Sequence, residues 1–425
     1  MFVPYDYQES ISTEAAKILD WMKLVYLCLE MRVGKTFTSF MTAEKVGAKD
    51  ILFVTKLKAI GSIEKDYKTM QPPFSIKVIN YEQLHNYIGN PDLVIIDEAH
   101  SCGAFAIPSE RARLLKKICK DRKIIFMSGS PSPESYSQLY HQFWISSFSP
   151  FKEWPSFYKW ANAGFVNIKK KYYYNREINN YSYANKEKVD QYTKHLFLTY
   201  TQDEAGFEQE VQEEIIHLRM SPKTYWLADK LTKDRVFIGK GGQEVVADTE
   251  VKLQNKLHQI YSGSVISESG EGVCFDYSKA DFIREKFAGK KIAIFYIFKA
   301  EYAMLLWAFG IDKITSDPEE FNKSNNKIFI SQIQAGGMGV NLSTADCLIM
   351  FNIHFSNVLY WQARARIQDK NRTKIAKLYW IFSEKGIEQR VYDCVKEKKD
   401  YVLSYFKRDF MIARREGDVT LIEKG

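Results

Sequence analysis

The sequence predicts an α/β protein with two parallel-sheet lobes and a helical, aromatic-rich insertion between them. Three observations lead there. Short apolar runs alternate with amphipathic segments through residues 1–150, and the alternation returns from about 275 to 385. Between them, over 141–220, it gives way to Trp, Phe and Tyr mixed with lysine. A chain of 425 residues is also too long for one core, which makes two or three domains the expectation. The predicted division is 1–145 for the first lobe, 146–220 for the insertion and connector, and 221–425 for the second lobe.

Composition narrows the class. Apolar and charged fractions of 45% and 26% are those of a folded soluble protein, and a net charge of +8 is too small to argue nucleic-acid binding unaided. Cys28, Cys102, Cys119, Cys274, Cys347 and Cys394 are scattered with no C-x-x-C pair. That points away from a metal centre or a disulfide framework and toward a reducing cytoplasm. The stretch from Met1 to Ser10 lacks the basic-then-apolar pattern of a signal peptide, and no apolar run approaches membrane-spanning length, so no membrane partner is expected.

In the first lobe, Leu24–Leu29, Ile51–Val54, Ile76–Ile79, Leu93–Ile96 and Ile124–Met127 read as strands, with helical patterns such as Arg111–Lys120 between them. Parallel sheets bind ligands at the carboxyl ends of their strands, so the residues just after each run carry the interest. After the first comes Glu30-Met31-Arg32-Val33-Gly34-Lys35-Thr36, which reads as a P-loop. A helix starting near Lys35 would turn Phe37, Phe40, Met41 and Ala43 toward the core, and its unpaired N–H groups and dipole favour an anion. Arg32, Val33, Gly34, Lys35, Thr36 and Phe37 would surround ATP, with Lys35 on the outer phosphates and the Thr36 hydroxyl on Mg²⁺. The glycine that the full pattern places five residues before Gly34 is Leu29 here.

After Leu93–Ile96 comes Asp97-Glu98-Ala99-His100. Two carboxylates at the end of a buried strand are costly without a cation or water. Asp97 is suited to Mg²⁺, and Glu98 to orienting or deprotonating a water that attacks the γ-phosphate. Ser128-Gly129-Ser130-Pro131 follows the fifth strand, and Ser128 or Ser130 can hydrogen-bond His100. Thr55 and Lys56 follow the second, where they suit a nucleic-acid phosphate or form an ordinary surface. Gln8, about one helix upstream of the P-loop, can both donate to and accept from an adenine edge.

In the middle stretch, Trp144, Trp154 and Trp160 precede Lys169-Lys170-Lys171-Tyr172-Tyr173-Tyr174. These could stack bases and clamp phosphates, or the rings could pack inward and leave the lysines in water. Apolar runs on either side of Gly241-Gly242 signal a hairpin over 236–251. In the second lobe Ile292–Ile297, Ile328–Ile330, Leu348–Phe351 and Leu378–Phe382 read as strands. Gly336-Gly337-Met338-Gly339 is a flexible turn able to approach phosphate closely. Gln362-Ala363-Arg364-Ala365-Arg366 and Arg372 lie on a basic helical stretch, and 384–416 has a long amphipathic helical pattern.

Taken in order, Gln8, the P-loop, Thr55-Lys56, Asp97-Glu98-Ala99-His100 and Ser128-Gly129-Ser130-Pro131 resemble the motifs of superfamily two helicases. The 30–36 loop, with Arg32 replacing a glycine, and the stretch Ser331 to Leu342, with Ala345-Asp346 after it, resemble the Swi/Snf-type translocase branch, including small phage- or bacterial-type DEAH-box members. The resemblance covers roughly 1–140 and 275–385. It implies two RecA-like lobes with ATP between them, and Gly339 and Arg366 approaching the nucleotide when the lobes close. It also implies coupling roles for His100, Ser128, Ser130 and Gln362, and nucleic-acid contacts at Thr55, Lys56 and Gly336. Asp369 stands where the family has its second arginine, so Arg366 acts alone, or Arg364 or Arg372 substitutes. The expected activity is ATP-driven movement on double-stranded, forked or branched DNA in a bacterial or phage-infected cytoplasm. An RNA helicase, or a binding protein with a decayed ATPase, is the alternative.

Overall fold

The computed structural model describes residues 2–173, 176–206, 211–239, 241–336, 340–368 and 375–397. Gly339, Asp369, Arg372 and the predicted helix beyond residue 397 lie outside them. The chain divides into unit 1, residues 1–208, and unit 2, residues 209–425.

Unit 1 opens with α1 (Asp6–Met22), β1 (Leu24–Leu29), α2 (Lys35–Lys45) and β2 (Asp50–Thr55). It continues through α3 (Ile60–Met70), β3 (Ser75–Asn80), β4 (Leu93–Asp97), α4 (Glu110–Ile118), β5 (Lys123–Met127) and α5 (Gln138–Trp144). Then come α6 (Phe157–Trp160), β6 (Lys169–Tyr173), β7 (Arg176–Asn180), α7 (Lys186–Thr193) and β8 (Phe197–Tyr200). Six strands form one parallel sheet in the order β3-β2-β4-β5-β1-β8.

Strand periodicity explains why the central strands read as unbroken apolar runs. Tyr26, Leu52, Val54, Val94, Ile96 and Phe126 bury one face of the sheet. Leu27, Phe53, Leu93, Ile95, Ile125 and Met127 bury the other. Helices cover both faces, so neither parity of side chain meets water. Phe53, fully buried and edge-on to Phe40 at 5.8 Å, is one pin of this packing. Truncating it to alanine would cost about 3–5 kcal/mol.

Unit 2 begins with β9 (Gln212–Leu218), α8 (Pro222–Asp234), β10 (Val236–Ile238), β11 (Glu244–Val246) and α9 (Glu250–Ile260). Next are β12 (Ser264–Ile266), β13 (Gly272–Cys274), α10 (Ser278–Lys286), β14 (Ile292–Tyr296) and α11 (Lys299–Phe309). β15 (Ile314–Thr315), α12 (Pro318–Lys323), β16 (Ile328–Gln332), α13 (Ile333–Gly336) and β17 (Cys347–Met350) come after them. The described part ends with α14 (Asn357–Arg364), β18 (Lys377–Ser383) and α15 (Glu388–Lys396). Its sheet is also six-stranded and parallel, ordered β15-β16-β14-β17-β18-β9. β10 and β11 pair antiparallel around Gly241-Gly242.

The stretch 146–220 differs from its sequence reading. β8 and β9 both fall inside it, and each completes a sheet: β8 pairs with β1 in unit 1, and β9 with β18 in unit 2. The two compact units meet at 208/209, inside the stretch read from the sequence as insertion and connector. β8 and β9 are edge strands, half in water, so Gln212–Leu218 carries two glutamates and a histidine that hide its strand character. The inserted residues are not purely helical either, because β6 and β7 form an antiparallel hairpin. Trp160 is fully buried and stacks on Phe165 at 5.0 Å, which commits that ring to the core. Among the described residues no helix is long and apolar enough to cross a membrane.

Candidate functional site

Four adjacent strands of unit 1, β1, β5, β4 and β2, end on the same side and carry the predicted residues. The loop after β1 turns through Arg32 at φ 66° and Gly34 at φ 85° before α2 begins at Lys35. A left-handed conformation at a non-glycine costs roughly 1 kcal/mol. Gly34 occupies the cap position and offers no side chain, so the first N–H groups of α2 have no capping oxygen. By contrast, the cap of α4, Ser109, accepts from Ala112 N at 3.3 Å. An uncapped helix start is an anion site.

Lys35 folds back over its own loop. Its Nζ donates to the carbonyls of Leu29 and Glu30 at 2.9 and 3.1 Å. These are bonds a phosphate can replace. A Cβ at Gly34 would strike the Gln8 amide nitrogen, and one at Gly129 would lie 4.0 Å from Lys35 Nζ. Gln8 and the 128–131 loop are therefore at the P-loop. Phe37, predicted beside the nucleotide, stacks on Phe2 at 4.3 Å. Val33 is fully buried, and its carbonyl accepts from Tyr7 OH at 3.3 Å.

Asp97 ends β4. Its Oδ2 accepts from Thr55 Oγ1 at 2.8 Å and its Oδ1 from Glu98 N at 3.0 Å. Burial pushes the Asp97 carboxyl up to about 6, and the Glu98 charge adds to this; the Thr55 hydrogen bond and the Lys35 charge oppose it. Glu98 is left-handed at φ 52°. Its Oε2 lies 3.3 Å from His100 Nδ1, which also shares a hydrogen bond with Ser128 Oγ at 2.9 Å. Burial lowers the His100 pKa; Glu98 opposes the shift and Lys56 adds to it. Ser128 Oγ accepts from Ser130 N at 3.1 Å, which ties the loop together.

Thr55 needs a correction. It is fully buried with its hydroxyl given to Asp97, so it cannot meet a nucleic-acid phosphate. Its part is to orient the carboxylate. Lys56, half-buried, lies close enough to His100 to influence its charge.

Sequence reading missed the loop's buttress. Gln202 N donates to Glu30 Oε2 at 2.9 Å and Gln202 Nε2 to the Met31 carbonyl at 2.8 Å. Glu30 N donates to the Tyr200 carbonyl at 2.9 Å, and the Tyr200 ring stacks on Tyr7 at 5.0 Å. No local pattern marks Gln202. Only the pairing of β8 with β1 brings it here.

In unit 2, Arg366 lies half-buried in the turn after α14, and its carbonyl accepts from Leu342 N at 3.2 Å. Arg364 is engaged elsewhere: its Nε donates to Glu213 Oε1 at 2.7 Å. Glu213 also accepts from Trp380 Nε1 at 2.9 Å, Tyr392 OH at 3.0 Å and Tyr360 OH at 3.0–3.1 Å. A carboxylate with four donors anchors α14 to β9, β18 and α15. That use argues against Arg364 as the residue that approaches phosphate. Gln362 is buried on α14, and Gly336 closes α13.

No group of three or more His, Cys, Asp or Glu able to hold a metal occurs among the described residues. Mg²⁺ needs none, since one or two protein oxygens plus phosphates and water satisfy it. Asp97 and Thr36 supply hard oxygens of that kind, and the raised Asp97 pKa marks a carboxylate that a cation would relieve.

Comparison with known proteins adds an independent line. Residues 312–370, which include Gln362 and Arg366, match the family model described as Helicase conserved C-terminal domain. The chain is 31% identical over 85 residues to an uncharacterized ATP-dependent helicase of Mycoplasma pneumoniae, covering 20% of this chain and 8% of that protein. It is 24% identical over 209 residues to the chromatin-remodeling ATPase INO80 of Candida albicans, covering 46% of this chain and 14% of the relative. The chain thus spans a small part of these relatives' length. Among solved structures, it is similar to a Sulfolobus solfataricus SWI2/SNF2 ATPase core in complex with dsDNA, at 14% identity and a TM-score of 0.40, covering 92% and 90% of the two chains.

Proposed function

We propose that this protein is a DNA-dependent ATPase of the Swi/Snf-like type, using ATP and Mg²⁺ to move along double-stranded or branched DNA. The observation that carries the reading is the convergence around Lys35. Gln8, Gly129 and the Asp97 carboxylate, from three other parts of unit 1, all approach the uncapped start of α2. That set suits a nucleoside triphosphate better than it suits a decayed remnant. The helicase-type match over 312–370 supports the second half of the assignment.

Each residue then has a task. α2 and Lys35 bind the β- and γ-phosphates, with Lys35 exchanging its two carbonyl partners for phosphate oxygens. Thr36 and Asp97 would hold the cation, which would supply charge neutralisation of the phosphates. Thr55 aims Asp97, and Glu98 positions the attacking water. His100 and Ser128 link Glu98 to the 128–131 loop, the route by which bound polynucleotide reaches the site. Arg366 stabilises charge on the transferring phosphoryl group, a contribution of roughly 10³ or more in rate.

Steady-state hydrolysis measured with duplex, forked, four-way and single-stranded DNA, and with RNA, tests the proposal. Stimulation by duplex or branched DNA, abolished in Lys35→Ala, is the expected result. Turnover indifferent to every polynucleotide, or equal in Lys35→Ala, overturns it. Stimulation by RNA alone reassigns the substrate.

A further inference from the structure

Unit 1 carries a second cationic site, remote from the P-loop. α4 leads from the carboxyl end of β4 to the amino end of β5, and its last turns face the segment that comes after α5. Between them lies a cavity of about 740 Å³. Arg113, Lys116, Lys117, Lys120 and Lys152 line it, and no acidic residue does. None of the five forms an ion pair among the described residues. In this chain Lys and Arg outnumber Asp and Glu by only eight, so an unneutralised group of five is a local concentration of charge.

The floor of the cavity is aromatic. Trp144 and Trp154 are both half-buried there, unlike Trp160, which lies wholly in the core. Lys116 Nζ sits 3.5 Å from the centroid of the Trp144 ring, and burial lowers its pKa with no carboxylate to offset the loss. A partly desolvated ammonium on an indole face is a strong cation–π arrangement and a strong attractor of anions. The sequence sets the tryptophans beside Lys169–Lys171; the structure sets Trp144 against Lys116 of α4, with Trp154 lining the same cavity.

We propose that this cavity binds single-stranded nucleic acid, with unpaired bases against Trp144 and Trp154 and phosphates on the surrounding lysines and Arg113. Cations without carboxylates suit a polyanion, and two recessed indoles suit planar apolar rings; nucleic acid has both. Duplex is disfavoured because its bases stay stacked on one another and cannot enter a recess between a helix and a turn. Placement near the amino end of β5 separates the site from the phosphate loop at the carboxyl ends, so a strand held here leaves the nucleotide site open.

Fluorescence anisotropy of a labelled oligothymidylate on the full chain, titrated with salt, tests this directly. Each phosphate neutralised on a single strand contributes about 0.7 to the log–log salt slope, so Lys116→Gln/Lys117→Gln/Lys120→Gln should lower the slope by about 2. Affinity near 0.1 M salt should fall roughly tenfold or more by the same relation. Hydrolysis at saturating duplex should stay within about twofold of the parent, because none of the three lysines touches the P-loop machinery. An iodouracil-substituted oligonucleotide should photo-crosslink to peptides containing Trp144 or Trp154. A folded triple variant with unchanged affinity and slope overturns the proposal. So does crosslinking confined to other peptides, or a crosslink to these peptides that polyglutamate added before irradiation suppresses and unlabelled single strand does not. Anisotropy needs no turnover, so the result stands even if no polynucleotide stimulates hydrolysis.

Discussion

Unit 2 surrounds its buried and half-buried carboxylates with donors. Glu213 accepts from four side chains. Glu388 meets the fully buried Lys279 Nζ at 3.0 Å and the Ser383 backbone and hydroxyl at 3.2 and 2.9 Å. Glu301, although burial raises its pKa, takes three hydrogen bonds from Asn352, Ile297 and Phe298. Unit 1 does the opposite at the end of β4. Asp97 has two donors and stands next to Glu98, and burial leaves its carboxyl at about 6. Carboxylates saturated with donors hold a fold together. An adjacent pair in which burial and mutual repulsion outweigh the stabilising contacts at Asp97 holds unfavourable energy that a cation can release. Both sheets are parallel and six-stranded, and it is in this handling of negative charge that the two units differ.

The sharpest way to break the comparison is to set the two arginines of unit 2 against each other. Arg366→Ala should lower polynucleotide-stimulated kcat by about 10³ with little change in melting temperature. Arg364→Ala should do the reverse, costing about 3 kcal/mol of stability by leaving Glu213 partly unpaired while sparing most of kcat at low temperature. Denaturant melts beside steady-state kinetics separate them; equal kinetic losses with equal stability would erase the distinction between the two residues.

A smaller effect concerns acid. His258 bonds Asn352 Oδ1 at 2.7 Å, and burial holds its pKa down to about 3. The ring is then neutral in the folded chain but protonates in the unfolded chain below its ordinary value, so stability falls as pH falls. The loss should be about 1.4 kcal/mol per unit below about pH 6.5. His258→Gln should flatten that limb in melts of unit 2 tracked by amide exchange.

Smaller again, Asp97→Asn should abolish hydrolysis yet raise the melting temperature of unit 1 by a few degrees near pH 8, since a charge disfavoured by burial is removed. Here the folded pKa is raised, so the wild-type penalty is present above it and fades as pH falls toward the unfolded value. The gap between variant and wild type should therefore close on acidification. A gap of constant size would locate the effect in packing instead of charge.

Much of the fold was legible from residues alone. β1, β2, β4 and β5 announced themselves because strands buried on both faces are apolar without interruption, and the residues just past their carboxyl ends form the candidate site. Edge strands escaped notice. β9 reads as an acidic connector because half of it faces water, yet its Glu213 is the anchor that commits Arg364. Thr55 was legible as important but not as buried, since a hydroxyl at a strand end looks the same whether it meets phosphate or a neighbouring carboxylate. Gln202 left no trace at all, because its meaning comes from a partner far away in sequence.

That last distance has a practical consequence. Residues 30 and 31 are locked by residue 202, a separation of 172 and 171 positions. A growing chain leaving the ribosome therefore cannot set its phosphate loop until the whole aromatic insertion has emerged. A fragment cut near residue 145 would also leave β1 as a raw, apolar sheet margin, open to pairing with any passing strand and prone to precipitate.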